Sequence, residues 1–126
     1  MYMPDITKKT VDAIGDAFNR NDIEAVMSFF SDDAIFDHAV GPDAHGARFS
    51  GADAIRDVFD GLFRKVKNVH WETLKCSIEG QTAYCHYNRT ATHMDGSKEE
   101  FLSVDILTFH DGLIVHKDTY YKQRTA

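Results

Sequence analysis

Asp105 stands in the run Phe101-Leu102-Ser103-Val104-Asp105-Ile106-Leu107-Thr108-Phe109, whose side chains alternate between the two faces of a strand. Phe101, Ser103, Asp105, Leu107 and Phe109 share one face, and Leu102, Val104 and Ile106 share the other. Burial disfavours the charged form of a carboxyl, so a mid-strand Asp among apolar neighbours is a candidate general acid or hydrogen-bond donor. It could equally satisfy a neighbouring strand or a partner subunit. His38 closes the short apolar run Ala34-Ile35-Phe36-Asp37-His38, where a strand reaching the rim of a cavity would turn polar. A neutral imidazole there could act as a base, and a histidine capping a surface loop would look the same.

Two further groups are chemically suggestive. His86, Asn88, Thr90 and Thr92 alternate onto one strand face, opposite Cys85, Tyr87, Arg89, Ala91 and His93. That uncharged polar stripe is either a pocket lining or a solvent face, because polar groups on a covered sheet need partners. Asp118, with Ile114, His116 and Tyr120, lies opposite Leu113, Val115, Lys117, Thr119 and Tyr121. It could form a carboxylate dyad with Asp105, or be a plain exposed carboxylate. The seven histidines contain no H-x-x-x-H or H-E-x-x-H spacing, so no metal is expected. No G-x-S-x-G nucleophile turn is present, and without a glycine-rich nucleotide loop no cofactor is expected.

These residues need a scaffold, and 126 residues with 43% hydrophobic content suit one soluble domain, taken as residues 1–126, with a core large enough to need no disulfides. Cys76 and Cys85 lack C-x-x-C spacing and read as reduced thiols. A net charge of −6 argues against nucleic acid. No sorting signal or membrane-length apolar run is visible, which leads to the expectation of a cytoplasmic protein without membrane contact.

Val11, Ile14 and Phe18 mark a helix within Ile6 to Asn19; Ile23, Val26, Met27 and Phe30 mark a second, capped by Asp22. Ser50-Gly51-Ala52-Asp53 resembles a capping box opening a third helix through Val66, and Gly41 to Ser50 reads as a loop rich in breakers. From His70 the pattern becomes period two. His70–Ile78, Thr82–Met94, Glu99–Phe109 and Leu113–Tyr121 are separated by Glu79-Gly80, Asp95-Gly96 and Asp111-Gly112, dipeptides that favour tight hairpins. The fold class predicted is α+β, three N-terminal helices packed on one face of a curved, mostly antiparallel sheet.

Phe29-Phe30-Ser31-Asp32-Asp33-Ala34, Phe49-Ser50-Gly51-Ala52-Asp53-Ala54-Ile55-Arg56, and Val104 to Phe109 followed by Asp111-Gly112-Leu113-Ile114 resemble the SnoaL-like branch of the nuclear-transport-factor-two-like superfamily. The resemblance implies a cone-shaped roll, a pocket between the concave sheet and the helices, and homodimers built through the sheet. Laid against ketosteroid isomerases, Ile14 replaces the oxyanion-hole tyrosine, His38 replaces the aspartate base, and Asp105 matches the second oxyanion acid. The same alignment puts His86, Asn88, Thr90 and Thr92 on the pocket side. Against limonene-epoxide-type hydrolases, Asp105 matches one carboxylate and Asp118 the other, while Ser103, Phe36 and His38 replace the bridging arginine and the water-holding tyrosine and asparagine. A one-residue slip in the last strand decides whether Asp118 or Thr119 faces the pocket.

Two functions follow from this reading. One is a cofactor-independent acid/base enzyme of cyclase, isomerase or dehydratase kind acting on a small organic molecule, with Asp105 as acid or oxyanion donor and His38 as base. His86, Asn88, Thr90, Asp118, Phe36 and Ile14 would then contact the substrate. The other is a non-catalytic ligand-binding or accessory domain of a larger enzyme.

Overall fold

A computed structural model describes residues 3–125 as three helices and six strands: α1 (Lys8–Asn19), α2 (Ile23–Met27), β1 (Phe30–Asp43), β2 (Gly46–Ser50), α3 (Ala52–Lys65), β3 (Val66–Glu79), β4 (Thr82–His93), β5 (Lys98–His110) and β6 (Leu113–Tyr121). Among these residues no helix is long and apolar enough to cross a membrane.

Local chemistry explains the helix ends. The Thr7 hydroxyl accepts from the Thr10 amide, and Asp22 accepts from the Ala25 amide, so each caps the helix that follows it. The second helix stops at Met27, short of the expected Phe30, which instead opens β1 with its side chain still buried. The third helix is capped not by Ser50 but by Gly51, whose φ of 91° is open to glycine and whose position supplies no side-chain cap.

The sheet runs β2-β1-β6-β5-β4-β3, antiparallel at every pairing except β1 with β6. The three helices pack on one face of this curved, unclosed sheet, which is the predicted α+β cone. The core between them includes Ile14, Phe18, Val26, Phe30, Phe59 and Ile114. Burial of such side chains at about 1.5–3 kcal/mol each offsets the entropy of ordering the chain.

Gly41 to Ser50 is not a loop. Most of it is the β1–β2 hairpin, in which Asp37 pairs with Arg48 and His38 with Ala47 before the register shifts. Gly46 permits this, because a Cβ there would lie 1.8 Å from the His38 carbonyl oxygen. The glycine breakers therefore shape a bulged hairpin.

Candidate active site

Two hairpin registers decide which side chains meet Asp105. At Asp111-Gly112 both residues have positive φ, 50° and 80°, the signature of a two-residue type I′ turn. Continued without interruption, that turn would set Asp118 opposite Asp105. A bulge intervenes: Phe109 pairs with Ile114 but Thr108 with His116, so Val115 is an extra residue on β6. Beyond it Asp105 pairs with Thr119 and Leu107 with Lys117, while Asp118 pairs with Ile106 on the other face. Asp118 is therefore not beside Asp105, and no carboxylate dyad forms.

The β4–β5 hairpin contains a comparable offset. A minimal loop at Asp95-Gly96 would place His86 opposite Asp105, but Thr92 pairs with Lys98 and Cys85 with Asp105. His86 opposes Val104, Asn88 opposes Leu102 and Thr90 opposes Glu100, all on the sheet face away from Asp105. The Asn88 amide donates to Glu100 at 2.8 Å. The expectation that His86, Asn88, Thr90 and Thr92 line the pocket is thus corrected: their alternation was right, but the face was wrong.

What does surround Asp105 is a buried ion pair. The Lys117 ammonium lies 3.1 Å from Asp105 Oδ1, the Thr119 hydroxyl donates to the same oxygen at 2.7 Å, and Lys117 also donates to Thr119 at 2.8 Å. Asp105 and Lys117 are each 7% exposed. The ammonium also sits 4.9 Å from the Phe36 ring centre, 5.6 Å from that of Phe59 and 5.8 Å from that of Phe18, so its remaining surface faces aromatic quadrupoles. Both bonds converge on Oδ1. Among the described residues Asp105 Oδ2 makes no side-chain hydrogen bond, which leaves it for a ligand.

This cluster forms one end of a cavity of about 710 Å³, within the range of small-molecule sites. Phe36, Phe59, Trp71, Phe101 and Tyr121 give it aromatic walls, and Ser103 and His38 add polar atoms. Arg89 lies over the rings of Phe101 and Trp71, at 4.8 and 5.9 Å, and bonds Glu99 toward the rim. Ile14 lies deeper, in a small void shared with Gly15, Phe18, Tyr87 and Asp105.

His38 is held by geometry and by charge. Its Nδ1 is turned to the Val40 backbone, 3.2 Å from the amide nitrogen and 3.4 Å from the carbonyl oxygen. Burial pushes its pKa below the usual imidazole value, and the Lys117 and Arg89 cations act in the same direction. The ring packs edge-on to Phe36 and to Tyr121, each 5.9 Å away. With Nδ1 turned to the backbone, Nε2 is the ring nitrogen left for a ligand, and the lowered pKa disfavours a second proton on the ring. Burial also raises the Tyr121 phenol above its usual value, keeping it a donor.

Thr119 was one of the two alternatives that the last strand's register left open, whereas Lys117, Arg89 and Tyr121 escaped the sequence reading. A lysine among Val115, Thr119 and Tyr121 on an alternating strand was the available signal, but alternation cannot say which face is covered. Asn19 also gave no sign: its side-chain amide donates to the Trp71 carbonyl at 3.0 Å and accepts from the Trp71 amide at 2.8 Å, fixing α1 to β3 beside the cavity. Among the described residues no cluster of three or more His, Cys, Asp or Glu could hold a metal ion.

Solved structures share this architecture. A Catenulispora acidiphila protein with a ketosteroid isomerase-like fold, in complex with trimethylamine, superposes with a TM-score of 0.79 at 19% identity, over 93% of this chain and 88% of that one. A putative polyketide cyclase from Pseudomonas putida gives 0.74 at 18% identity, covering 90% and 89%. An LEH-like epoxide hydrolase from M. tuberculosis gives 0.76 at 16%, covering 90% and 80%. At these identities the likeness concerns the fold alone. No curated protein matches the sequence. The SnoaL-like domain family matches residues 11–117, which takes in all three helices' core positions and the Asp105–Lys117 pair, and the chain belongs to that family.

Proposed function

We propose that the chain is a cofactor-independent acid/base enzyme of cyclase, isomerase or dehydratase kind, acting on a small, largely aromatic organic molecule in the cone cavity. The observation that carries this is the Asp105–Lys117 pair at the cavity's end. A buried ion pair contributes little net stability relative to apolar side chains of similar volume, so its presence beside an aromatic cavity favours a chemical role. In this reading Asp105 Oδ2 is the base that removes a proton from carbon, with Lys117 and Thr119 fixing the carboxylate. His38 Nε2–H and the Tyr121 hydroxyl donate to the oxyanion that develops on the substrate. These roles reverse the acid and base first expected for Asp105 and His38, because the charged neighbour of Asp105 is a cation and His38 Nδ1 is turned to the backbone.

The experiment is solvent-deuterium exchange at the carbon beside the carbonyl in a panel of aryl ketones, followed by proton NMR. Wild-type protein should catalyse exchange for at least one ketone that binds, and Asp105→Asn should abolish it while circular dichroism shows the fold retained. Binding without exchange would assign the cavity to a non-catalytic binding domain instead.

We also propose that two copies pair through the outer sheet face. The helices cover only the opposite face, while Leu102, 38% exposed, lies on the outer one with Val104 and Ile106.

A further inference from the structure

Cys76 and Cys85 are both free thiols, and they stand directly opposite each other on β3 and β4. The hairpin between them turns on Gly80-Gln81, with Glu79 paired to Thr82. Residues flanking a two-residue turn exchange both backbone hydrogen bonds, and the pattern alternates along an antiparallel ladder. Ile78–Ala83 is therefore a non-hydrogen-bonded pair, Ser77–Tyr84 a bonded one, and Cys76–Cys85 non-bonded again. At such positions Cα atoms stand about 4.5 Å apart and side chains come closest, a separation that a disulfide accommodates.

The two thiols also differ in access. Cys85 is fully buried in the main core, on the same face of β4 as the buried Tyr87, whereas Cys76 is partly exposed and packs against that core. Cys85 in turn pairs with Asp105, and Asp105 with Thr119, so one row of side chains crosses four strands from Cys76 to the ion pair.

We propose that Cys76 and Cys85 form a redox-responsive dithiol that hydroperoxides oxidise to a cross-strand disulfide, and that closure of this bond is sensed at Asp105. Cys76, the accessible thiol, attacks the peroxide and becomes a sulfenic acid, releasing water or an alcohol. The Cys85 sulfur then displaces the sulfenic oxygen as a second water, forming the S–S bond. The peroxide is reduced by two electrons, and the two thiols supply them. Closing the bond draws Cys85 toward β3, and Cys85 is the strand partner of Asp105 and shares its face of β4 with Tyr87, a residue that lines a small void with Asp105 and Lys117.

The test treats the full chain with hydrogen peroxide, blocks remaining thiols with N-ethylmaleimide under denaturing conditions, and measures intact mass. The expected product has lost two hydrogens and carries no maleimide, and dithiothreitol restores two reactive thiols. Trypsin with glutamyl endopeptidase separates Cys76-Ser77-Ile78-Glu79 from the segment Gly80 to Arg89, so the two pieces stay joined only when bridged. Cys76→Ser should give no bridged product and leave the Cys85 thiol intact. Two maleimides after peroxide, sulfinic acid at Cys76 without a bridge, or bridges only between chains would each overturn the proposal. For the second part, oxidation should move the amide resonances of Tyr87, Asp105 and Thr119 in a ¹⁵N–¹H spectrum. A bridged protein whose Asp105 and Thr119 resonances are unchanged would overturn the coupling while leaving the acid/base reading untouched.

Discussion

The Lys117 ammonium and the Asp105 carboxylate, twelve residues apart in sequence, meet at 3.1 Å in a site where neither side chain is more than 11% exposed. Removing one partner strands the other as an unpaired buried group. Asp105→Asn and Lys117→Met are each expected to cost about 3 kcal/mol of unfolding free energy, whereas the double substitution should recover at least half of the summed loss. Urea denaturation of the four proteins checks this. Additive losses would mean that the pair is not coupled.

Thr119 holds the same carboxylate oxygen through its hydroxyl. Thr119→Val should cost about 1 kcal/mol of stability and slow ketone exchange without abolishing it, because Lys117 still fixes the carboxylate. An exchange rate equal to wild type would remove Thr119 from the site's chemistry.

His38 binds its proton less readily in the folded chain than its ordinary value of 6.5, so between that pH and its lower folded midpoint the unfolded state holds more protons. Stability contributed by keeping this ring neutral is present above pH 6.5 and falls as the solution is acidified. His38→Phe should flatten the stability profile between about pH 7 and 5. The His38 ring protons, followed by NMR, should titrate below 6.5.

Asp37 lies on the outer face, 2% exposed, where Arg48 grips it with two bonds of 2.8 and 2.9 Å and His116 adds a third at 2.8 Å. The Arg48 bonds hold its carboxyl down from 3.8 to about 2, with burial opposing and His116 assisting. That stability is fully present above pH 3.8 and is lost as the pH falls toward about 2. With Arg48 itself partly solvated, it amounts to about 1–2 kcal/mol. Asp37→Asn should therefore be less stable at pH 6 and show a shallower acid transition by circular dichroism.

Outer-face pairing predicts a dimer at micromolar concentration in sedimentation velocity, and Leu102→Lys should shift it toward monomer by placing like charges across the two-fold contact. A wild-type monomer would refute the pairing.

The sequence by itself determined the three helices, the four C-terminal strands, the alternation of side chains along each strand and the face-sharing of Asp105 with Ser103 and Leu107, because these depend on periods of 3.6 and two that a chain carries locally; the β1–β2 hairpin it read as a loop. It also placed Phe36 and His38 on a strand that does reach the cavity, although that strand runs on to Asp43. It did not determine which partner strand residues share Asp105's face. That depends on hairpin register, and the extra Val115 on β6 and the offset of Thr92 against Lys98 each move a whole strand's side chains to the other side. Those shifts exchange His86, Asn88 and Asp118 for Cys85, Tyr87 and Thr119 around one carboxylate, and bring in Lys117. They arise where backbone pairing across strands, sheet twist and the packing of three helices are satisfied together, and no local stretch of residues contains that information.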